Sequence, residues 1–298
     1  SICNFCPYCK VRYSAELCDR YIDSLIQEIH IVGSQHAEHR KATSLYFGGG
    51  TPALAANRIK EIVNALSEHF IITEGIGLEL HPDNVNVETL QMLKDAGVTK
   101  ISIGIQSFCD KYQKILGRKK IDTAEMMSAL SAVSFETVSM DFIFALPGQT
   151  YDDLKSDIDT AFLLGANHVA IYPFIDFTFT ESPVTAMPKK DKRELLDAIT
   201  QYCLGKGYSR NSIWTFSSGT DANYSSMTRD NFLGFGCSAT SLFKEQFKIN
   251  TFDVDSYCER IRSGNLATSL TIRFQKRQRE AFMIFHNLFQ KHCLFLIN

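Results

Sequence analysis

The alternation of apolar and polar positions along the chain predicts helices and strands in turn. Apolar residues recur at helical spacing over residues 14–32, 55–69, 87–96, 123–134, 152–164 and 189–204. Short apolar runs predict strands over residues 43–47, 77–80, 100–106, 138–146 and 168–172. Strict alternation of strand and helix is typical of a parallel sheet with crossover helices, either as an open doubly wound sheet or as a barrel.

Beyond Gly205 this alternation ends. Residues 207–243 are rich in serine, asparagine, glycine and aromatic side chains, and residues 276–296 have the periodicity of one more helix. The sequence contains no repeat, low-complexity tract or proline- and glycine-rich linker. The chain is therefore organised differently before and after about residue 205.

Composition and charge narrow the class of protein. The chain has 298 residues, 45% of them hydrophobic and 21% charged, which is ordinary for a globular protein. A net charge of −2 provides no basic field, so we expect no nucleic-acid partner. No apolar run reaches the roughly 18 to 20 residues that span a bilayer. We therefore expect no transmembrane segment. No signal-peptide pattern precedes the body of the chain, so we also expect a cytoplasmic location.

Cysteine usage points to metal ligation. The chain has nine cysteines, and residues 3–9 (CNFCPYC) contain three of them. This clustering favours a metal site in a reducing compartment over a disulfide framework. Thiolates with an adjacent aromatic residue suit an iron–sulfur cluster. A zinc knuckle or a redox Cys-x-x-Cys motif is the alternative, although zinc usually takes a second ligand pair, which the sequence does not offer at suitable spacing.

Polar and glycine-rich motifs lie at or near the ends of the predicted strands. Residues 48–52 (GGGTP) follow the first strand, Glu79 stands between leucines in the second, and Asp141 interrupts an apolar strand. Glycines let a ligand approach the backbone, and a carboxylate in apolar surroundings is costly without a partner. Because ligands of parallel α/β folds bind at the carboxyl ends of strands, these motifs predict a ligand site there. Plainer interpretations are an ordinary turn, a rim salt bridge, and an aspartate paired with a lysine or arginine of a neighbouring strand.

Together these motifs resemble those of radical S-adenosylmethionine (SAM) enzymes. Within that superfamily the chain resembles the group of oxygen-independent coproporphyrinogen III oxidase (dehydrogenase), a haem chaperone and anaerobic haem-degrading methyltransferases. The resemblance covers nearly the whole chain. It rests on the cysteine and glycine motifs and on residues 102–108 (SIGIQSF), 116–118 (LGR) and 140–150 (MDFIFALPGQT).

The resemblance implies an α/β fold, a partial (β/α)6 TIM-like barrel whose first strand is missing from the chain. Residues 1–205 would form the radical SAM core. Residues 206–298 would form a C-terminal, α-rich accessory region like that of coproporphyrinogen oxidase, which we expect to be truncated. Within it, residues 224–239 resemble the loop that closes the substrate side, as an aromatic pocket for a tetrapyrrole or as an ordinary ordered loop.

The resemblance also assigns the ligands of a 4Fe–4S cluster. Cys3 and Cys6 would be two of its three cysteines, and the third is expected two positions before Ser1. Two other registers use Cys9: one needs a cysteine where Ile2 stands, and the other is a shortened triad of the three cysteines. We prefer the first register because it leaves the spacing of the motif intact.

Further residues are assigned to SAM by the resemblance alone. They are Phe5, Tyr8, Gly49, Gly50, Thr51, Glu79, Gln106, Arg118, Asp141 and Tyr172. The two aromatics near the cysteines would shield the cluster and contact the adenine, and the glycine motif would bind the amino group of the methionine part. The two acidic residues would hold the ribose or the amino group, Gln106 would donate a hydrogen bond, Arg118 would face the carboxylate, and Tyr172 would contact the adenine.

The implied chemistry is reductive cleavage of SAM to a 5′-deoxyadenosyl radical, which abstracts hydrogen from a porphyrin-type substrate. Implied partners are a porphyrinogen or haem and an electron-donor protein such as flavodoxin. The dehydrogenase usually has a further cysteine two residues after the third cluster cysteine, whereas this chain resembles the chaperone and degradation branches in having Tyr8 there instead. Three interpretations therefore stay open: a tetrapyrrole enzyme, a haem chaperone, and a zinc-stabilised α/β protein without radical chemistry.

Overall fold

The computed structural model describes residues 10–35, 40–175, 187–219 and 231–290. The α-helices of this described part are α1 (Ala15–Gly33), α2 (Ala56–Ser67), α3 (Val87–Asp95), α4 (Asp110–Ile115), α5 (Thr123–Ala132), α6 (Tyr151–Leu163), α7 (Lys189–Gly205), α8 (Val254–Arg262) and α9 (Lys276–Gln290). Its strands are β1 (Arg40–Ala42), β2 (Leu45–Phe47), β3 (Phe70–Ile72), β4 (Ile76–Leu80), β5 (Lys100–Gln106), β6 (Thr137–Phe144), β7 (His168–Pro173), β8 (Ser209–Ser212), β9 (Thr215–Ser217), β10 (Thr240–Phe243), β11 (Gln246–Asn250) and β12 (Thr268–Arg273).

The chain divides into two compact units. Among the described residues, unit 1 comprises residues 46–54 and most of the chain from residue 76 to residue 219. Unit 2 comprises the chain up to residue 45, residues 55–75 and the chain from residue 231 onward. None of the described helices combines the length and the apolar character needed to cross a bilayer.

Unit 1 is built on a seven-stranded sheet with the order β2-β4-β5-β6-β7-β9-β8. Strands β4 to β7 are parallel, as the alternation of strand and helix predicts, and β9 and β8 extend the sheet in antiparallel pairing. Strands β5 and β6 are buried over most of their length, and in β6 only Asp141 interrupts the buried run. In their register Ser102 pairs with Ser139 and Gly104 pairs with Asp141.

The turn between β6 and α6 is held by side-chain hydrogen bonds. Gln149 accepts the Leu146 N–H at 3.2 Å, and Thr150 and Asp153 form a capping box at the start of α6. The Tyr112 hydroxyl, which is fully buried, lies 2.8 Å from the Gly148 carbonyl and 2.7 Å from the Asp153 carboxylate. Residues of α4 and residues at the start of α6 therefore both hold this turn in place.

Unit 2 packs α1 against α2 and α8, beside the parallel pair β1-β3 and the antiparallel sheet β10-β11-β12. A carboxylate lies at its centre, since Glu28 on α1 is only 3% exposed. It accepts hydrogen bonds from the Gly236 N–H at 2.7 Å, the Asn250 amide at 2.8 Å and the Tyr257 hydroxyl at 2.7 Å. These donors offset much of the cost of burying the carboxylate.

After residue 205 the described chain contains the strands β8 to β12, which the periodicity does not predict. Strand β8, with the sequence SRNS, shows why: it is short and polar, and it lacks the apolar alternation by which a strand is recognised. The assignment of residues 1–205 and 206–298 to a radical SAM core and an accessory region stays a prediction.

Candidate functional site

The residues expected to bind SAM that lie within the described chain are grouped in unit 1. The glycine motif follows β2, Glu79 lies on β4, Gln106 ends β5, Asp141 lies on β6 and Tyr172 lies on β7. The negative charges of Asp141 and Glu79, after burial, raise the pKa of the Tyr172 hydroxyl, which places these three groups within electrostatic range of one another. These residues therefore lie on or next to neighbouring strands of one sheet, and their roles in binding SAM stay predictions.

Glu79 is partly buried and is held between two donors. Its Oε1 accepts the Tyr46 hydroxyl at 2.8 Å, and its Oε2 accepts the Gly49 N–H at 3.1 Å. Burial raises the pKa of this carboxyl to about 7, and the nearby Asp141 contributes in the same direction. Gly49 has a φ of +108°, a conformation that favours glycine, so the loop can turn its N–H towards the carboxylate.

Asp141 finds its partners on two strands. The Ser102 hydroxyl lies 2.7 Å from Oδ2, and the Ser139 hydroxyl lies 3.1 Å from Oδ1 and 2.9 Å from Nδ1 of His168. Burial raises the pKa of Asp141 to about 6 and lowers that of His168 to about 4. The sequence also allows an ion pair between Asp141 and a lysine or arginine of a neighbouring strand. Among the described residues, its hydrogen-bond partners are instead two serine hydroxyls.

The segment after β5 is anchored by a residue that the motifs do not reveal. Asp157 on α6 is buried and accepts the Ser107 hydroxyl and the Phe108 N–H, each at 2.7 Å. Burial raises the pKa of Asp157 to about 6. Gln106, immediately before this anchor, has a φ of +71°, which is uncommon for a residue with a side chain. Residues 106–108 are thus held in place at the end of β5.

A signal for Asp157 exists in the sequence. The buried face of α6 comprises Leu154, Asp157, Ile158 and Ala161, which follow the i, i+3, i+4, i+7 spacing of one helix face. An aspartate within such an apolar stripe needs a buried partner, just as an aspartate within an apolar strand does.

Asp157→Ala should lower the free energy of unfolding by about 2–4 kcal/mol, because the Ser107 and Phe108 donors would lose their acceptor. Asp157→Asn, which retains one carbonyl oxygen, should cost less. Urea unfolding checks this. Asp152→Ala, on the exposed first turn of α6, is the matched control. Equal stability of Asp157→Ala and this control would contradict the anchoring role.

Arg118 lies beside the strand ends and not on a free surface. Its guanidinium donates to the Gly104 carbonyl oxygen, and its charge, after burial, lowers the pKa of His81. His81 follows β4 and accepts the Asp83 N–H at 3.2 Å through Nδ1. Its Nε2 is buried and has no hydrogen-bond partner among the described residues. The sequence motifs assign no role to His81, and its buried nitrogen places a polar group next to β4.

Aromatic side chains line part of the same region. The Tyr172 ring meets the edge of Trp214 with 5.8 Å between ring centroids. A partly buried tyrosine with a tryptophan against it forms an apolar wall of the kind on which a flat heterocycle can stack. This arrangement is compatible with the expected adenine contact of Tyr172, which stays a prediction.

The residues present fit SAM, which carries an ammonium, a sulfonium and ribose hydroxyls. Glu79 and Asp141 bring two carboxylates together, and no ion pair with a cationic side chain is formed by either within the described ranges. A cationic ligand that also donates hydrogen bonds would compensate both charges. Gly50 and Thr51 lie in the same glycine motif, where a Cβ on Gly50 would meet nothing within 4 Å.

The expected cluster ligands cannot be placed in the same way. Cys3, Cys6 and Cys9, with the aromatics Phe5 and Tyr8, lie outside the described residues. So do residues 220–230, which include the start of the loop expected on the substrate side. The assignment of the cluster ligands therefore stays a prediction.

Comparison with known proteins gives the family context. Residues 2–161 match the model of the radical SAM superfamily. The chain is 30% identical over 227 residues to the haem chaperone HemW of Lactococcus lactis, an alignment that covers 72% of this chain and 59% of the chaperone. It is 24% identical over 280 residues to the oxygen-independent coproporphyrinogen III oxidase of Pseudomonas aeruginosa, with 83% of this chain and 60% of the oxidase covered. The chain thus spans about three fifths of the length of these two relatives.

The fold also matches a solved structure. Coproporphyrinogen III oxidase (HemN) of Escherichia coli superposes with a TM-score of 0.85 at 20% identity, over 97% of this chain and 73% of that one. The predicted α/β fold, a partial TIM-like barrel, is confirmed by this likeness. At this level of identity the match concerns the fold alone.

Proposed function

Because the chain belongs to the radical SAM superfamily, whose cofactors are a 4Fe–4S cluster and SAM, we propose that it binds SAM at the strand ends of unit 1 and acts on a porphyrinogen or a haem. The observation that supports the SAM site is the pair Glu79 and Asp141, two partly buried carboxylates within electrostatic range of each other. A cation bound between them would lower the cost of ionising both groups.

Each residue of the site has a binding or orienting part in this proposal. Glu79, fixed by Tyr46 and Gly49, accepts hydrogen bonds from the ammonium of SAM. Asp141, fixed by Ser102 and Ser139, accepts hydrogen bonds from ribose hydroxyls. When bound, the cluster and SAM supply one-electron chemistry that leads to abstraction of a hydrogen atom from the substrate.

Other residues exclude water and balance charge. Tyr172 and Trp214 offer an apolar face for the adenine, which keeps solvent from one side of the nucleoside. Arg118, held on the Gly104 carbonyl, supplies positive charge for the carboxylate of SAM. Gln106 is oriented by the segment that Asp157 anchors.

The substrate class is proposed from the relatives. Both the coproporphyrinogen III oxidase and the haem chaperone bear names that refer to tetrapyrroles, so we place the substrate or cargo in that class. Oxidation of a porphyrinogen is our first interpretation. The chaperone interpretation is favoured by Tyr8, which stands where the dehydrogenase has a further cysteine. A cytoplasmic location and an electron donor such as flavodoxin belong to the same proposal.

The experiment reconstitutes the cluster without oxygen in the full-length protein. Reductant and SAM are added with coproporphyrinogen III, with haem, or with neither, and 5′-deoxyadenosine and the tetrapyrroles are followed by mass spectrometry. We expect nucleoside release coupled to loss of propionate carboxyl groups. Asp141→Asn should abolish both signals, and Glu136→Gln, on the exposed surface, should change neither.

The other results separate the alternatives. Nucleoside release coupled to modification of haem would indicate the haem-degrading branch. Binding of a cluster and of haem without any coupled product would indicate the chaperone. Zinc in place of iron, with no SAM binding, would overturn the proposal.

A further inference from the structure

We propose that unit 2 binds a divalent first-row transition-metal ion, such as Zn²⁺, through His30, Glu68 and His69. Their ligand atoms all lie within 4.8 Å of one another. None of these residues belongs to the SAM-binding motifs or to the predicted cluster ligands. The proposed site is therefore additional to the radical SAM cofactors.

The distances between the ligand atoms suit a single ion. Nδ1 of His30 lies 3.1 Å from Nε2 of His69 and 3.8 Å from Oε2 of Glu68. Metal–ligand bonds of roughly 2.0–2.1 Å in a tetrahedral zinc site separate neighbouring ligand atoms by roughly 3.3 Å. The two distances bracket this value, so small side-chain rotations would bring the atoms onto one ion.

Secondary structure fixes the backbone of each ligand. His30 lies in the last turn of α1, and Glu68 is the C-cap of α2, where its N–H donates to the Asn64 carbonyl at 3.2 Å. His69 leads into β3: its carbonyl accepts the Arg40 N–H of β1 at 3.1 Å. The ligands thus come from two helix ends and one strand start, which are rigid positions.

Gly33 provides the space that brings the two imidazoles together. It lies one helical turn after His30 on α1, and it is buried under the ring of His69. A Cβ at position 33 would overlap Cγ, Cδ2 and Nδ1 of that ring. With glycine there, the ring lies against α1 with its Nε2 at hydrogen-bond distance from Nδ1 of His30.

The donor set determines the kind of ion. Two imidazoles and a carboxylate are the ligands of zinc sites that keep a fourth position for water, and they also suit Co²⁺, Ni²⁺ and Cu²⁺. In the free protein one ring donates an N–H to the other, and an ion would replace that proton. The side chains of His30 and Glu68 are 41% and 65% exposed, so an ion can reach them from solvent.

Cobalt titration tests the site, because Co²⁺ bound by nitrogen and oxygen lacks the charge-transfer absorption of a thiolate ligand. The background is the full chain with Cys3→Ser, Cys6→Ser and Cys9→Ser, which removes the clustered thiols. We expect one equivalent of Co²⁺ to give ligand-field bands without thiolate absorption, and Zn²⁺ to displace it.

The variants make the test specific. His69→Gln should weaken Co²⁺ binding at least tenfold by removing a ligand. Gly33→Ala should do the same while leaving all three ligands in place, because the ring of His69 could no longer lie against α1. Gly205→Ala is the matched control, since a Cβ there meets nothing within 4 Å, and it should bind as the background does.

Two results would overturn the proposal. One is Co²⁺ affinity that is unchanged in His69→Gln, and the other is a spectrum dominated by thiolate absorption, which would place the ion on cysteines. Circular dichroism establishes that each variant is folded. If Gly33→Ala does not fold, His30→Gln replaces it, with the same tenfold loss expected and the same overturning result.

Discussion

Glu79→Gln should weaken the binding of SAM to the cluster-loaded protein by roughly 10- to 100-fold, the range expected for loss of a charge-assisted hydrogen bond. Glutamine keeps the size of the side chain and can still accept from Tyr46 or Gly49. It cannot provide the negative charge that we expect to meet the ammonium of SAM. Equilibrium dialysis with labelled SAM, under anaerobic conditions, measures the change.

The pH dependence gives this prediction a second readout. Burial raises the pKa of Glu79 to about 7, so its carboxylate becomes protonated as the pH falls through neutrality. Binding of SAM should therefore weaken as the pH falls from about 8 to about 7 in the native protein and stay nearly flat over that range in Glu79→Gln, because Asp141, with a pKa of about 6, titrates lower. Asp141→Asn should retain a step, shifted to lower pH, because the Asp141 charge would no longer help to raise the pKa of Glu79.

Glu136→Gln is the control for loss of one negative charge, because Glu136 is exposed in the same unit. It should bind SAM as the native protein does. If Glu79→Gln and Glu136→Gln bind SAM equally well, Glu79 does not meet the ammonium, and its buried position must have another cause.

Glu28→Ala should cost about 3–5 kcal/mol of stability in unit 2, the largest effect we expect from a single substitution. The Gly236 N–H, the Asn250 amide and the Tyr257 hydroxyl would all lose a buried acceptor. Each buried donor without a partner costs about 1–3 kcal/mol, and the costs are not fully additive. Hydrogen exchange of the α1 amides, read by mass spectrometry, reports this loss locally.

Glu28→Gln separates the role of the acceptor from that of the charge. Burial raises the pKa of Glu28 above its ordinary value of 4.5, so the folded state holds this proton more tightly than the unfolded state. The contribution of Glu28 to stability should therefore decrease as the pH rises from about 4.5 through the folded pKa. Glu28→Gln should lack this decrease. Glu74→Ala, an exposed glutamate of unit 2, is the control, and an equal effect of Glu74→Ala and Glu28→Ala would contradict the prediction.

Asp141 shows how much of the candidate site can be predicted from the sequence alone. Its place within an apolar strand is enough to predict a hydrogen-bonded carboxylate at the site. Ser139, two residues earlier on the same strand, lies on the same face, but the second partner, Ser102, could not be predicted, because its position depends on the register of β5 with β6. Strand periodicity determines which face a residue occupies but not which residue of the next strand lies opposite.

Residues outside motifs are harder to foresee. Strand β5 has the predicted bounds, because the alternation of isoleucines marks it clearly. Glu28 gives no comparable signal: a glutamate on an amphipathic helix is usually solvated, and its three donors are far away in the sequence. The cluster formed by His30, Glu68 and His69 is hidden for the same reason, since the fold brings together two helix ends that are distant in sequence.

The separation between Glu28 and its donors has a consequence for biosynthesis. Gly236, Asn250 and Tyr257 follow it by 208, 222 and 229 residues. At roughly 5–20 residues per second, the ribosome needs roughly 10–45 s after making α1 before these donors have been synthesised. Throughout that time the carboxylate of the nascent helix lacks its native hydrogen bonds. The buried hydrogen-bond network around Glu28 can therefore form only after residues 236–257 have been synthesised.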